Sequence, residues 1–173
     1  MEPELIDVSI GGTDAPHTHL VTPVNGAIEL FYTDKLNGLS VNGLQIGESG
    51  GKRSTVKLRS GEYWSSFKIN SNHSEGIITA VELKTNKGRV LQANRDKLPT
   101  GSNPSTSVIV DNCYIYAIGV ISDECIHQLT IYYIKDFEPF AGWLNDDSDN
   151  SAINEYPIPN EQFVQEGHRL QVC

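Results

Sequence analysis

The side chains able to do chemistry gather at a few places in the chain. Ser122-Asp123-Glu124-Cys125-Ile126-His127 puts two carboxylates, a thiol and an imidazole within six residues. Carboxylates accept hydrogen bonds through both oxygens, so Asp123 and Glu124 suit a ligand rich in hydroxyl donors. The same carboxylates should raise the pKa of the neighbouring Cys125 thiol, which disfavours a nucleophile. His17-Thr18-His19 sets two imidazoles on one face of an extended segment, with Asp14 nearby. Zinc needs three or four such ligands, so no metal is expected there. Asp146, Asp147 and Asp149 are paired carboxylates in polar, turn-like sequence, and a glycosidase would need them in a shaped cleft. There is no G-x-S-x-G elbow, H-E-x-x-H, P-loop or Rossmann glycine pattern. No enzyme and no cofactor is expected.

The elements that must position these groups read as strands. From Ile28 to Ile134, short β-rich runs are separated by Gly, Asn, Asp, Ser or Pro. The runs are Ile28–Thr33, Leu39–Ile46, Thr55–Leu58, Trp64–Ile69, Ile77–Lys84, Arg89–Ala93, Ser107–Val110, Tyr114–Val120 and Ile126–Ile134. No long window carries helical periodicity with caps. The spacing predicts an all-β sandwich, barrel or prism, with Trp64 packed inside. The last two runs form a hairpin turning at Ser122-Asp123-Glu124. In that hairpin Cys113 and Cys125 stand roughly 20 Å apart, too far for a disulfide.

Charge divides the chain. It has 173 residues and a net charge of −9. Residues 1–135 carry 12 basic and 14 acidic side chains, whereas residues 136–173 carry one and eight. A body without a basic stripe is a poor match for phosphate, so nucleic acid is not expected. Apolar runs such as Tyr114–Ile121 are too short to span a bilayer as a helix. The start, Met1-Glu2-Pro3-Glu4, lacks a basic and apolar leader pattern, and three cysteines make no framework. A cytoplasmic location is the expectation, with secretion left open should the chain be a processed fragment. The sequon Asn72-His73-Ser74 then reads as accidental.

Several segments, in order, resemble the jacalin-related lectins. Leu58-Arg59-Ser60-Gly61-Glu62-Tyr63 resembles the family's L-x-S-G-E-Y signature, and Ile77–Lys87 (IITAVELKTNK) its I-x-S-L-x-F-x-T-N-K strand. Gly50-Gly51 precedes them at the usual distance, Ile28–Leu39 resembles the early strand pair with Asn37-Gly38 near its turn, and Ile115–Tyr133 resembles the closing hairpin. The resemblance spans about residues 5–135. It implies a β-prism of three four-stranded antiparallel sheets (residues 1–135), followed by an acidic C-terminal extension (residues 136–173). It also implies a sugar site built from a glycine pair near the amino terminus and a G-x-x-x-D loop in the closing hairpin. Gly11-Gly12 match the pair. In the loop, Asp123 falls at the family's glycine and His127 at its aspartate. Gly119–Asp123 is a literal G-x-x-x-D, but its glycine would sit inside a strand.

The expectation is a non-catalytic, lectin-like domain contacting a neutral glycan through Gly11, Gly12, Asp123, Glu124, Cys125, Ile126 and His127. The usual aspartate is replaced, and acceptors come from Asp123 and Glu124 in a rearranged loop. The second reading is a protein-interaction or targeting domain of a larger intracellular protein, with homo-oligomers left open. The extension, with Phe137, Phe140 and Trp143, either packs on the prism or docks on a basic partner.

Overall fold

The computed structural model describes residues 4–13, 17–21, 24 and 26–138, with residues 17–21 described by backbone alone. Twelve strands run in chain order: β1 (Glu4–Gly11), β2 (His17–Val21), β3 (Ala27–Tyr32), β4 (Leu36–Val41), β5 (Leu44–Gly47), β6 (Lys52–Lys57), β7 (Trp64–Asn72), β8 (Ile77–Thr85), β9 (Val90–Ala93), β10 (Ser107–Val110), β11 (Cys113–Ser122) and β12 (Ile126–Lys135). A 3₁₀ turn at Arg95–Lys97 is the helical element among the described residues. The strands pair into three four-stranded sheets, β1-β12-β11-β2, β10-β7-β8-β9 and β5-β4-β3-β6. Every pairing is antiparallel. Each sheet is a central hairpin with one strand added on either side, so the three sheets repeat one plan. This is the β-prism.

The sheets bury their inner faces against one another. Ile28, Leu30, Trp64, Phe67, Ile118 and Ile131 come from all three and belong to one apolar cluster. Trp64 is 1% exposed, as its strand position led one to expect, and its indole N–H is buried without a partner. A smaller cluster of Tyr63, Tyr114, Tyr116, Ala117 and Ile134 lies outside that core. Phe137 packs on it, with ring centroids 5.1 Å from Tyr63 and 5.0 Å from Tyr114. Phe140 and Trp143 lie outside the described residues.

The run Leu39–Ile46 divides into two strands where a single one was expected. Asn42 and Gly43 both have positive φ, 53° and 87°, the geometry of a tight two-residue hairpin turn, and they join β4 to β5. Asn37-Gly38 stands near the β3–β4 turn, as expected, at the start of β4, where Gly38 pairs with Gly47. β1 and β2 are additions to the expected runs.

The Leu58–Tyr63 and Ile77–Lys87 segments meet at one end of the prism. Glu62 is wholly buried and accepts from Arg89 Nη1 at 2.7 Å, the Thr85 hydroxyl at 2.7 Å and the Arg59 amide at 2.8 Å. Asn86 adds a clamp: its Oδ1 accepts from the Tyr63 amide at 2.9 Å, and its side-chain amide donates to Gly61 O at 3.1 Å. A buried carboxylate is tolerable only when its oxygens are satisfied and paired in this way. Glu62→Ala removes the acceptor for three donors at once. The expected cost is about 3 kcal/mol or more in urea or guanidinium unfolding, and a loss under about 1 kcal/mol would contradict this role.

Candidate functional site

Strand direction places the other end of the prism. β7 runs from Trp64 to Asn72, so its nine residues separate the Glu62 clamp from the β7–β8 turn by about 25–30 Å. At this far end lie the β7–β8 turn (residues 73–76), the β11–β12 turn (residues 123–125) and Gly11-Gly12 at the end of β1.

The glycine pair is held against backbone. Gly11 pairs with Gln128 and has φ +111°, and a Cβ there would stand 1.9 Å from the His127 carbonyl oxygen. A Cβ on Gly12 would stand 2.8 Å from the Gly76 oxygen. The Gly12 amide is directed at both carbonyls, His127 O at 3.0 Å and Gly76 O at 3.2 Å. The need for glycine is therefore internal: it brings β1 close to the β11–β12 and β7–β8 hairpins.

His127 occupies an irregular position. Ile121 pairs with Gln128 but Ser122 pairs with Ile126, so His127 is the extra residue of a β-bulge. The bulge changes the parity of the strand. Ile126 turns into the core at 0% exposure, with its Cδ1 in reach of Gly47, while His127 is half-buried at the surface. There its Nε2 donates to Asp123 Oδ1 at 2.9 Å. The same oxygen accepts from the Cys125 amide at 3.1 Å, and the Asp123 amide donates to Cys125 O at 3.0 Å. The Cys125 amide is first among the groups that hold the Asp123 carboxyl below its ordinary pKa; His127 and the Glu124 amide add to it, and burial opposes them. Asp123 is thus an ionised, exposed, preoriented acceptor.

Asp123 and Glu124 are exposed, and Cys125 is buried with a free thiol. Burial is the main cause of that thiol's raised pKa; Asp123, Glu124 and Glu75 push the same way, and Lys35 opposes them. Asp123 is not among the residues with positive φ, so its backbone does not call for the glycine that the resemblance implied there. Gly119 lies within β11 opposite Thr130, which removes Gly119–Asp123 as a loop motif. Cys113 pairs with Lys135 at the remote end of the hairpin, and it too is free. β2 sets His17 opposite Ser122 and His19 opposite Val120. Their side chains lie outside the described residues, as do Asp14, Trp143, Asp146, Asp147 and Asp149.

Sequence reasoning missed the β7–β8 turn as part of this end. His73, Ser74 and Glu75 are exposed there, and Asn72 Oδ1 shapes the turn by accepting from the Ser74 amide at 3.1 Å and hydroxyl at 2.8 Å. Its turn residues were visible; its approach to Gly12 was not.

A family model described as the Jacalin-like lectin domain matches residues 24–132, well over half of the chain. The chain belongs to the jacalin-like lectin family. Solved structures of similar fold include a Malaysian banana lectin (19% identity, TM-score 0.57, covering 76% of this chain and 99% of that one). Artocarpin complexed with methyl-α-mannose is similar at 18% identity and TM-score 0.55, over 76% and 98% of the two chains. A lamprey immune protein matches at 15% identity and TM-score 0.56 over 78% of this chain, which spans only 46% of that longer one. No curated protein sequence matches the chain.

Gly11→Ala should lower stability by about 2 kcal/mol or more, because strained φ and a backbone collision coincide. Gly50→Ala is the control: a Cβ there meets nothing within 4 Å. Chemical unfolding of the two variants checks this, and equal stability would contradict the close approach.

Proposed function

We propose that this lectin-family domain binds a neutral glycan, without catalysis, at the end formed by Gly11-Gly12, the β7–β8 turn and the β11–β12 turn. The observation that carries the reading is Asp123. It is a carboxylate exposed on the closing hairpin, oriented by His127 Nε2 at 2.9 Å and the Cys125 amide at 3.1 Å. Sugar hydroxyls are donors in need of acceptors, and an ionised carboxylate can take two from neighbouring carbons. Relative to the family pattern the acceptor has moved four residues, from position 127 to position 123, and histidine now backs it. Glu124 supplies further acceptors beside it. The Gly12 amide is engaged by protein carbonyls, so it contributes shape in place of a donor. A shifted acceptor implies a sugar preference different from that of a lectin with the aspartate at 127.

A glycan array with the folded chain tests the proposal. Binding to at least one neutral glycan is expected, and Asp123→Ala should weaken it about tenfold to a hundredfold, the worth of charge-assisted hydrogen bonds. Failure of the folded chain to bind any sugar would sink it and leave protein interaction as the role. Unchanged affinity in Asp123→Ala would move the site to another loop. Hydrolysis of an array glycan would overturn the non-catalytic reading.

A further inference from the structure

The β11–β12 turn sets a thiol and an imidazole beside the carboxylate proposed above for the glycan. Asp123, Cys125 and His127 each offer one ligand atom, and these atoms lie within 4.8 Å of one another. We propose that this turn is a binding site for a zinc-class divalent ion, held by the Asp123 carboxylate, the Cys125 sulfur and the His127 imidazole.

Three observations carry this. The first is geometry. Tetrahedral zinc with bonds of about 2.0–2.3 Å separates its ligand atoms by roughly 3.3–3.7 Å. The Asp123–His127 contact of 2.9 Å therefore opens by about 0.4 Å, and the remaining separations, none above 4.8 Å, close by at most about 1.5 Å to admit an ion. Those are adjustments of side-chain rotation. The second is the bulge, which sets His127 beside the turn and not within the regular ladder. Because of it, ligands at positions 123, 125 and 127 converge although Ile126 between them is core. The third is charge: Glu75 and Glu124 stand around the thiol along with Asp123, against Lys35 alone. That surrounding favours a cation.

The donor types select the ion. Calcium and magnesium require oxygen ligands, whereas a thiolate, an imidazole and a carboxylate together suit zinc or cobalt. On binding, the Cys125 S–H proton and the His127 Nε2 proton that had bonded Asp123 both pass to solvent, a neutral ring taking one back on Nδ1, and the Asp123–His127 hydrogen bond gives way to two metal bonds. Three protein ligands leave a fourth position, and it faces outward because Asp123 is exposed while Cys125 is buried. The proposal stands apart from the glycan reading, since the ion is measured with no sugar present.

The test uses the full chain stripped with EDTA, then titrated with Zn²⁺ by calorimetry and with Co²⁺ by absorption. One ion per chain is expected, with a thiolate-to-cobalt charge-transfer band and no response to Ca²⁺. Cys125→Ser should abolish that band, while Cys113→Ser and Cys173→Ser keep it. His127→Gln and Asp123→Asn should each weaken Zn²⁺ binding by more than about tenfold. A readout that needs no variant is the His127 imidazole NMR resonance, which should shift with Zn²⁺ while that of exposed His73 stays. Absence of the cobalt band, a band that survives Cys125→Ser, or an unmoved His127 resonance would each overturn the site.

Discussion

One extra residue in a strand organises the functional end of this protein. At His127 the β11–β12 ladder skips a pairing, and its carbonyl meets a donor on the β1 side. It finds the Gly12 amide, and the fit is so close that neither Gly11 nor Gly12 has room for a side chain. Through Gly12 the same contact reaches Gly76, tying the β7–β8 turn to the closing hairpin. The side chain of His127 is re-aimed by the same irregularity, and it meets Asp123 at 2.9 Å. Backbone closure and acceptor placement therefore meet at a single bulged residue.

The two ends of the prism divide fold from function. The Leu58–Tyr63 and Ile77–Lys87 segments, which carry the clearest family resemblance, clasp each other around buried Glu62. Their residue types answer to the need to satisfy a buried carboxylate, and that need is independent of any ligand. Resemblance there reports the architecture. It says nothing about a loop some nine strand residues away, where the resemblance itself implied a departure at His127.

The chemistry of the departure is coherent. A carboxylate at 127 would sit on the bulge itself, whereas histidine at 127 with aspartate at 123 forms a pair that orients the acceptor. The neighbouring thiol is kept protonated chiefly by burial, which makes it inert as a nucleophile and leaves it available only to a partner that can displace its proton. The acidic character of the chain, concentrated after Asp136, lies away from these groups in sequence. Within the described residues, Phe137 packs the start of the extension on the prism against Tyr63 and Tyr114.

Alternation of apolar and polar residues determined the strands of the central hairpins, because a period of two follows from local backbone geometry. The turn residues determined most of the breaks, and the order of short motifs determined the family. Asn42-Gly43 carries the local signal of a tight turn, positive φ at both positions, but the apolar residues that flank it in Leu39–Ile46 made the run read as one strand. What alternation could not yield was the parity change at His127: Ile126 and Leu129 both face the core, and only pairing with Ser122 and Gln128's partner Ile121 reveals why. Nor could sequence place Gly12 beside Gly76, 64 residues away, or bring Asp123, Cys125 and His127 within reach of one another. Register, bulges and the meeting of hairpin ends depend on contacts between distant segments, and those exist only once three sheets have closed around one core.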